Sequence, residues 1–176
     1  MRTDLEYPGD GYKVEYKERF EVGYRYYDKH TEEILYPFGH GLSYTDFEYS
    51  NLSVNKSDSG IEIEFELKNI GDVAGAEVVQ LYVGDPVSTV VKPIKELKNF
   101  EKVYLQSGEI QKVSFFLEYS DIAYYNTMLR EYVVENGRYD IYVGASSQDI
   151  RLNATFVIND DSSPYSIDCV GETMIG

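Results

Sequence analysis

Ile61-Glu62-Ile63-Glu64-Phe65-Glu66-Leu67-Lys68 alternates an apolar with a charged side chain at every step. Successive side chains of a strand point to opposite faces. As a strand this stretch therefore has one apolar and one wet face; as a helix it would scatter both groups round its circumference. The same period of two returns in Val79, Leu81 and Val83, in Val113, Phe115 and Leu117, and in Tyr139, Ile141 and Val143. It returns once more in Ile150, Leu152, Ala154, Phe156 and Ile158. Turn-forming clusters separate the runs: Ser57-Asp58-Ser59-Gly60, Gly84-Asp85-Pro86, Gln106-Ser107-Gly108, Glu135-Asn136-Gly137 and Ala145-Ser146-Ser147-Gln148-Asp149. No long amphipathic helix interrupts them, which excludes a parallel α/β sheet here. The pattern predicts an all-β, antiparallel sandwich of about seven strands, placed over residues 45–158.

Two stretches inside this region are less regular. Val87–Lys95 carries Ser88, Thr89, Pro93 and two lysines and reads as a loop. Asp121–Glu131 holds Tyr124, Tyr125, Met128 and Leu129 and reads as a long hairpin connection or a single helical turn. The turn Asn136-Gly137-Arg138-Tyr139 leads into a strand as the tyrosine corner of such sandwiches does. Tyr139 is accordingly a candidate structural tyrosine, its hydroxyl reaching back to upstream backbone; a plain core tyrosine is the alternative.

Outside the strands the chain changes character. Upstream, Tyr7-Pro8-Gly9-Asp10-Gly11 is a turn cluster, Tyr12–Tyr16 fits a short strand, and Phe20–Tyr27 has aromatics on both faces. A unit below about 40 residues rarely folds alone, so this part must pack on the rest of the chain or stay mobile. Between it and the strands lies Tyr36-Pro37-Phe38-Gly39-His40-Gly41-Leu42-Ser43-Tyr44. Pro37 pushes Tyr36 toward an extended backbone, and glycines flank His40, so the stretch is a sharply shaped connection with aromatic anchors. It reads as a seam between two structural units. From Asn159 onward the chain is polar and reads as a linker or tail, residues 159–176.

The seam also carries a resemblance. Pro37–Thr45 resembles the junction of glycoside hydrolase family 3 β-glucosidases, where an α/β sandwich domain meets a fibronectin type III-like domain. Glu21-Val22-Gly23-Tyr24-Arg25-Tyr26-Tyr27-Asp28, Lys95-Glu96-Leu97-Lys98-Asn99-Phe100-Glu101-Lys102-Val103 and Val143-Gly144-Ala145-Ser146-Ser147 resemble further family segments, in order. In the second of these Asn99 stands where the family has Gly. The resemblance runs over residues 7–158. It implies an immunoglobulin-like, fibronectin type III-like sandwich at 45–158, preceded at 1–44 by the C-terminal remnant of the α/β domain and the junction. It also implies that the nucleophilic Asp and the acid/base Glu of the parent enzyme lie in domains other than this one. The family's Ser-Asp-Trp-type motif is absent, and the chain has no Trp.

Composition narrows the functions further. The chain has 176 residues, 43% of them hydrophobic, and a net charge of −15. Clustered Lys and Arg are what phosphate backbones and anionic membranes attract, so nucleic-acid and membrane partners are not expected. No run reaches about 18 apolar residues, and Met-Arg-Thr-Asp-Leu-Glu lacks the apolar core of a leader peptide. The compartment stays open, with a slight lean to the cytoplasm. Cys169 is alone and cannot form an internal disulfide. His30 and His40 have no Cys or His partners at zinc-ligand spacing, and no phosphate loop appears, so neither metal nor cofactor is expected.

With 31 Asp and Glu, some carboxyl pair will lie close by accident, so counting carboxylates identifies no glycosidase pair. No catalytic residue is assigned. The expected work is that of a non-catalytic accessory domain, with the catalytic domains of the same parent polypeptide as partner through residues 36–44. Oligosaccharide at the cleft rim, reached by Val87–Lys95 and Asp121–Glu131, is a second candidate partner. His40, Ser43 and Tyr44 are read as seam contacts, with the His40 ring nitrogens bonding local backbone. The alternative is a carbohydrate-binding module whose exposed tyrosines, Tyr82 and Tyr142 among them, stack on sugars.

Overall fold

The computed structural model describes residues 9, 11–30 and 34–159. Sequence readings at 1–8 and along the 160–176 tail, Cys169 included, lie outside the described residues. Strands dominate. The three-stranded sheet has the order β1 (Phe47–Ser57), β2 (Gly60–Asn69), β5 (Ile110–Glu118). The four-stranded sheet runs β4 (Glu96–Leu105), β3 (Gly75–Gly84), β8 (Gly137–Gly144), β9 (Ile150–Ile158). All neighbours are antiparallel. A separate two-stranded hairpin, β6 (Tyr124–Asn126) with β7 (Glu131–Val133), stands beside them. The helices are single turns: α1 (Tyr24–Lys29) and α2 (Tyr119–Ile122). The irregular stretch at 121–131 is thus both a helical turn and a hairpin.

The alternating runs form the core. Ile61, Ile63, Phe65 and Leu67 of β2 meet Val79, Leu81 and Val83 of β3 and Tyr139, Ile141 and Val143 of β8 across the sandwich. Burying each such side chain contributes on the order of 2 kcal/mol, which offsets the entropy of ordering the strands. On β9 only Phe156 and Ile158 are fully buried, while Leu152 and Ala154 are half-covered. The cause is position: β9 is an edge strand with one hydrogen-bonded neighbour.

The two sheets differ on their outer faces. Outside the three-stranded sheet, Glu62 is exposed and Glu64 and Glu66 are half-exposed, with Lys112 paired to Glu64 at 2.6 Å. Outside the four-stranded sheet, Gln80 and Tyr82 are buried, at 3% and 0% exposure. Tyr24 packs on Tyr82, and Gly39 closes over Gln80. Two sequence readings are corrected here. Tyr12–Tyr16 forms no strand, and Tyr12 and Tyr16 stay exposed. Tyr82 is no exposed sugar platform, because the Tyr24 ring packs edge-on against it, with centroids 6.0 Å apart.

Candidate functional site: the seam on the four-stranded sheet

The covering layer begins at α1. Gly23, at φ +57°, opens the turn. Tyr24 then stacks on Phe38, centroids 4.8 Å apart, and its hydroxyl accepts the Leu97 N–H at 2.9 Å. That amide is in reach because the β3–β4 register shifts between Leu81 and Tyr82, skipping Lys98 and bringing Leu97 opposite Tyr82. Arg25 pairs with Glu96 at 2.8 Å. Asp28 pairs with Lys95 at 2.6 Å, and both side chains are almost fully buried. Removing either partner would strand a charge away from water.

The seam then crosses the same sheet. The Pro37 carbonyl accepts the His40 N–H at 3.0 Å, closing a turn with Gly39 at φ +79°. A Cβ at Gly39 would meet the Gln80 amide, so a side chain there displaces that amide as well as straining the backbone. The Gln80 amide nitrogen donates to the Gly39 carbonyl at 3.2 Å and to the Ala145 carbonyl at 2.7 Å. Its amide oxygen accepts the Tyr82 hydroxyl at 2.6 Å. Both carbonyls can only accept, which fixes the orientation of the amide. Burial, then the neighbouring Tyr24 and Asp28, push the Tyr82 hydroxyl well above its usual range, so it stays a donor. The Ser147 N–H donates to the Phe38 carbonyl at 2.9 Å, tying the seam to the β8–β9 turn.

The Phe38 and Gly39 carbonyls therefore bond to the four-stranded sheet and its β8–β9 turn, while the Phe38 ring is half-exposed. Elsewhere in the seam, Leu42 is 93% exposed, Tyr44 fully so, and Tyr36 is largely open. The His40 ring stacks on Tyr36, with centroids 5.1 Å apart. Ser43 Oγ accepts the Thr45 N–H at 3.4 Å. Between the seam and β3–β4 lies a groove of about 690 Å³ lined by Phe38, His40, Leu42, Val78 and Phe100 among others. Two of its carboxylates have structural partners. Asp149 accepts two bonds from Arg151, at 2.5 and 2.8 Å, and Glu77 accepts the Val78 N–H at 2.8 Å. Burial, only partly offset by that backbone bond, pushes the Glu77 carboxyl up.

At the opposite end of the sheet, Glu135 gathers the two loops. Its carboxylate accepts bonds from Ser88 Oγ (2.8 Å), from the Thr89 amide (3.2 Å) and hydroxyl, and from Lys92 (3.3 Å). Lys92 also pairs with Asp85 at 2.6 Å and lies over the Tyr124 ring. Burial pushes the Glu135 carboxyl up, but the bonds from Thr89, Ser88 and Lys92 prevail and hold it below its usual range. Tyr139 donates from its hydroxyl to the Glu135 carbonyl at 2.9 Å. Among the described residues no group of three or more His, Cys, Asp or Glu could hold a metal ion.

Sequence reasoning missed Gln80, Tyr24, Asp28, Lys95 and Glu135. One signal was available. Val78-Val79-Gln80-Leu81-Tyr82-Val83 is nearly continuous in apolar and aromatic residues, which marks a strand covered on both faces.

A three-plus-four antiparallel sandwich closed by a tyrosine bond at the start of β8 defines an immunoglobulin-like class of domain. Residues 77–147 match the family model described as "Fibronectin type III-like domain". The proteins this chain resembles include β-glucosidases. The chain is 51% identical over 159 residues to thermostable β-glucosidase B of Acetivibrio thermocellus, covering 88% of this chain and 21% of that protein. The structure of Bifidobacterium adolescentis GH3 β-glucosidase superposes with a TM-score of 0.85 at 36% identity, covering 96% of this chain and 25% of that one. That of Thermotoga neapolitana β-glucosidase 3B, in complex with glucose, gives 0.78 at 43% identity, covering 84% and 21%. The chain thus spans about a fifth of the length of the curated relatives it matches.

Proposed function

We propose that this chain is a non-catalytic accessory domain that braces the catalytic portion of a β-glucosidase-like glycoside hydrolase, with residues 36–44 as the seam. In this reading residues 1–44 end the preceding domain and form the junction, 45–158 are the sandwich, and 159–176 lead away from it. The parent removes terminal β-linked sugars, and the bond-cleaving carboxyl groups lie outside this chain. One observation carries the reading. The seam is anchored on its inner side at Phe38 and Gly39, yet it leaves Tyr36, Leu42 and Tyr44 uncovered. Large apolar side chains held outward on a fixed backbone are what a docking face needs.

The loops Val87–Lys95 and Asp121–Glu131 share one end of the domain through Glu135 and expose Val91, Tyr125 and Met128. They are the candidates for contact with oligosaccharide at the cleft rim. A free-standing carbohydrate-binding role has less support, because Tyr82 is buried and the Tyr125 and Tyr132 rings lie 70° apart rather than in one plane.

The test is hydrogen exchange of this chain with and without the separately produced remainder of the polypeptide. Protection should appear at Tyr36, Leu42, Ser43 and Tyr44. Unchanged rates there reject the seam, and release of glucose from an aryl β-glucoside by this chain alone rejects the non-catalytic role.

A further inference from the structure

We infer that Gln80 is a latch that sets the path of the seam, so that the seam is a rigid splice built into this domain and not a hinge awaiting a partner. The inference concerns this chain by itself; only its consequence, a fixed angle between the sandwich and whatever precedes it, rests on the accessory-domain reading above. Gln80 lies near the middle of β3 on the outer face of the sheet, where a polar side chain would ordinarily meet water. Instead it is 3% exposed, and each polar atom of its side chain has a bonded partner. A buried amide left unpaired is costly, so these partners are held as a set.

The partners are far apart in sequence. Gly39 is 41 residues before Gln80, and Ala145 is 65 residues after it. The amide therefore joins the seam to the β8–β9 turn through β3. Gly39 complements it from the other side: its φ of +79° and its missing side chain admit the amide. Two further contacts follow from that placement. The Phe38 carbonyl reaches the Ser147 N–H, and the Phe38 ring receives Tyr24, whose hydroxyl accepts the Leu97 N–H. Ser147 and Leu97 thus report seam docking from amides that belong to the sandwich itself.

Gln80→Leu keeps the volume and removes the amide. Exchange at the Ser147 and Leu97 amides should accelerate about ten-fold or more, the scale of losing one to two hydrogen bonds, while core amides of β5 such as Val113 and Phe115 stay protected. Gly39→Ala opens the latch from the seam side without altering β3, and should accelerate the same two amides. It decides the matter if Gln80→Leu fails to fold. Gln80→Glu adds a readout that simple packing would not give. An ionised carboxylate facing two carbonyl oxygens opens the latch at neutral pH, and protonating it restores a donor, so protection at Ser147 should recover on mild acidification. Unchanged exchange at Ser147 in folded Gln80→Leu or Gly39→Ala overturns the latch. That result leaves the accessory role standing if the remainder of the polypeptide still protects Leu42 and Tyr44. Conversely, accelerated Ser147 exchange with no such protection keeps the latch and removes the accessory role.

Discussion

At the scale of single residues, the structure turns on a few buried polar side chains whose partners are all named. Asn69 is fully buried. It donates to the Val73 and Leu105 carbonyls at 2.8 and 3.1 Å, and it accepts the Thr45 hydroxyl and the Gly71 N–H at 2.6 and 3.1 Å. Asn69→Ala strands these groups and should cost on the order of 3 kcal/mol in urea unfolding. Tyr139→Phe removes only the hydroxyl that reaches the Glu135 carbonyl, and should cost about 1 kcal/mol with an unchanged denaturant slope. A loss near zero would make Tyr139 an ordinary core ring. Tyr139 was legible in the sequence because a Gly turn two residues before a strand tyrosine is a local pattern. Asn69 was not, since its partners at 45 and 105 are brought to it only by folding.

Among the elements, the loop at 87–95 and the β6–β7 hairpin depend on one carboxylate. The groups facing Glu135 are Lys92 and, through it, Asp85, with the Tyr124 hydroxyl at 3.4 Å and Ser88 and Thr89 as neutral donors. The Glu135 carboxyl titrates below its unfolded value, so the folded state binds its proton less readily. Its stabilisation is fully present above the unfolded pKa of about 4.3 and is lost as the pH falls through the folded one. The stability gap between the wild type and Glu135→Gln should therefore be widest near neutrality and shrink below about pH 4. Urea midpoints measured from pH 3 to 7 check this, on a scale set by that unfolded value. A gap that does not vary with pH would mean the ionised form has no special role. The sequence marked 87–95 as irregular from Pro93 and its polar residues, but nothing local ties it to a glutamate more than forty residues on.

Over the whole molecule, the two faces of each strand carry unequal weight. Ile63→Ala opens a cavity between the sheets and should cost about 3 kcal/mol. Its neighbour Glu62→Gln, on the exposed outer face, should change stability by less than about 0.5 kcal/mol. Equal effects would mean the assigned faces are wrong. The periodicity alone determined those faces and the antiparallel sandwich, because alternation is written along each strand and needs no knowledge of what packs where. The resemblance to family segments could be read the same way, residue after residue. What only the tertiary structure decided is the second layer over the four-stranded sheet. Whether Tyr82 faces water or Tyr24, and whether Phe38 and Gly39 serve a partner or their own domain, depends on contacts between residues far apart in the chain, such as Gly39 with Gln80, 41 residues on, and Gln80 with Ala145, 65 residues on. Such contacts leave no period in the sequence, since a buried glutamine and a solvated one are the same letter, and only the burial of the whole sheet face tells them apart.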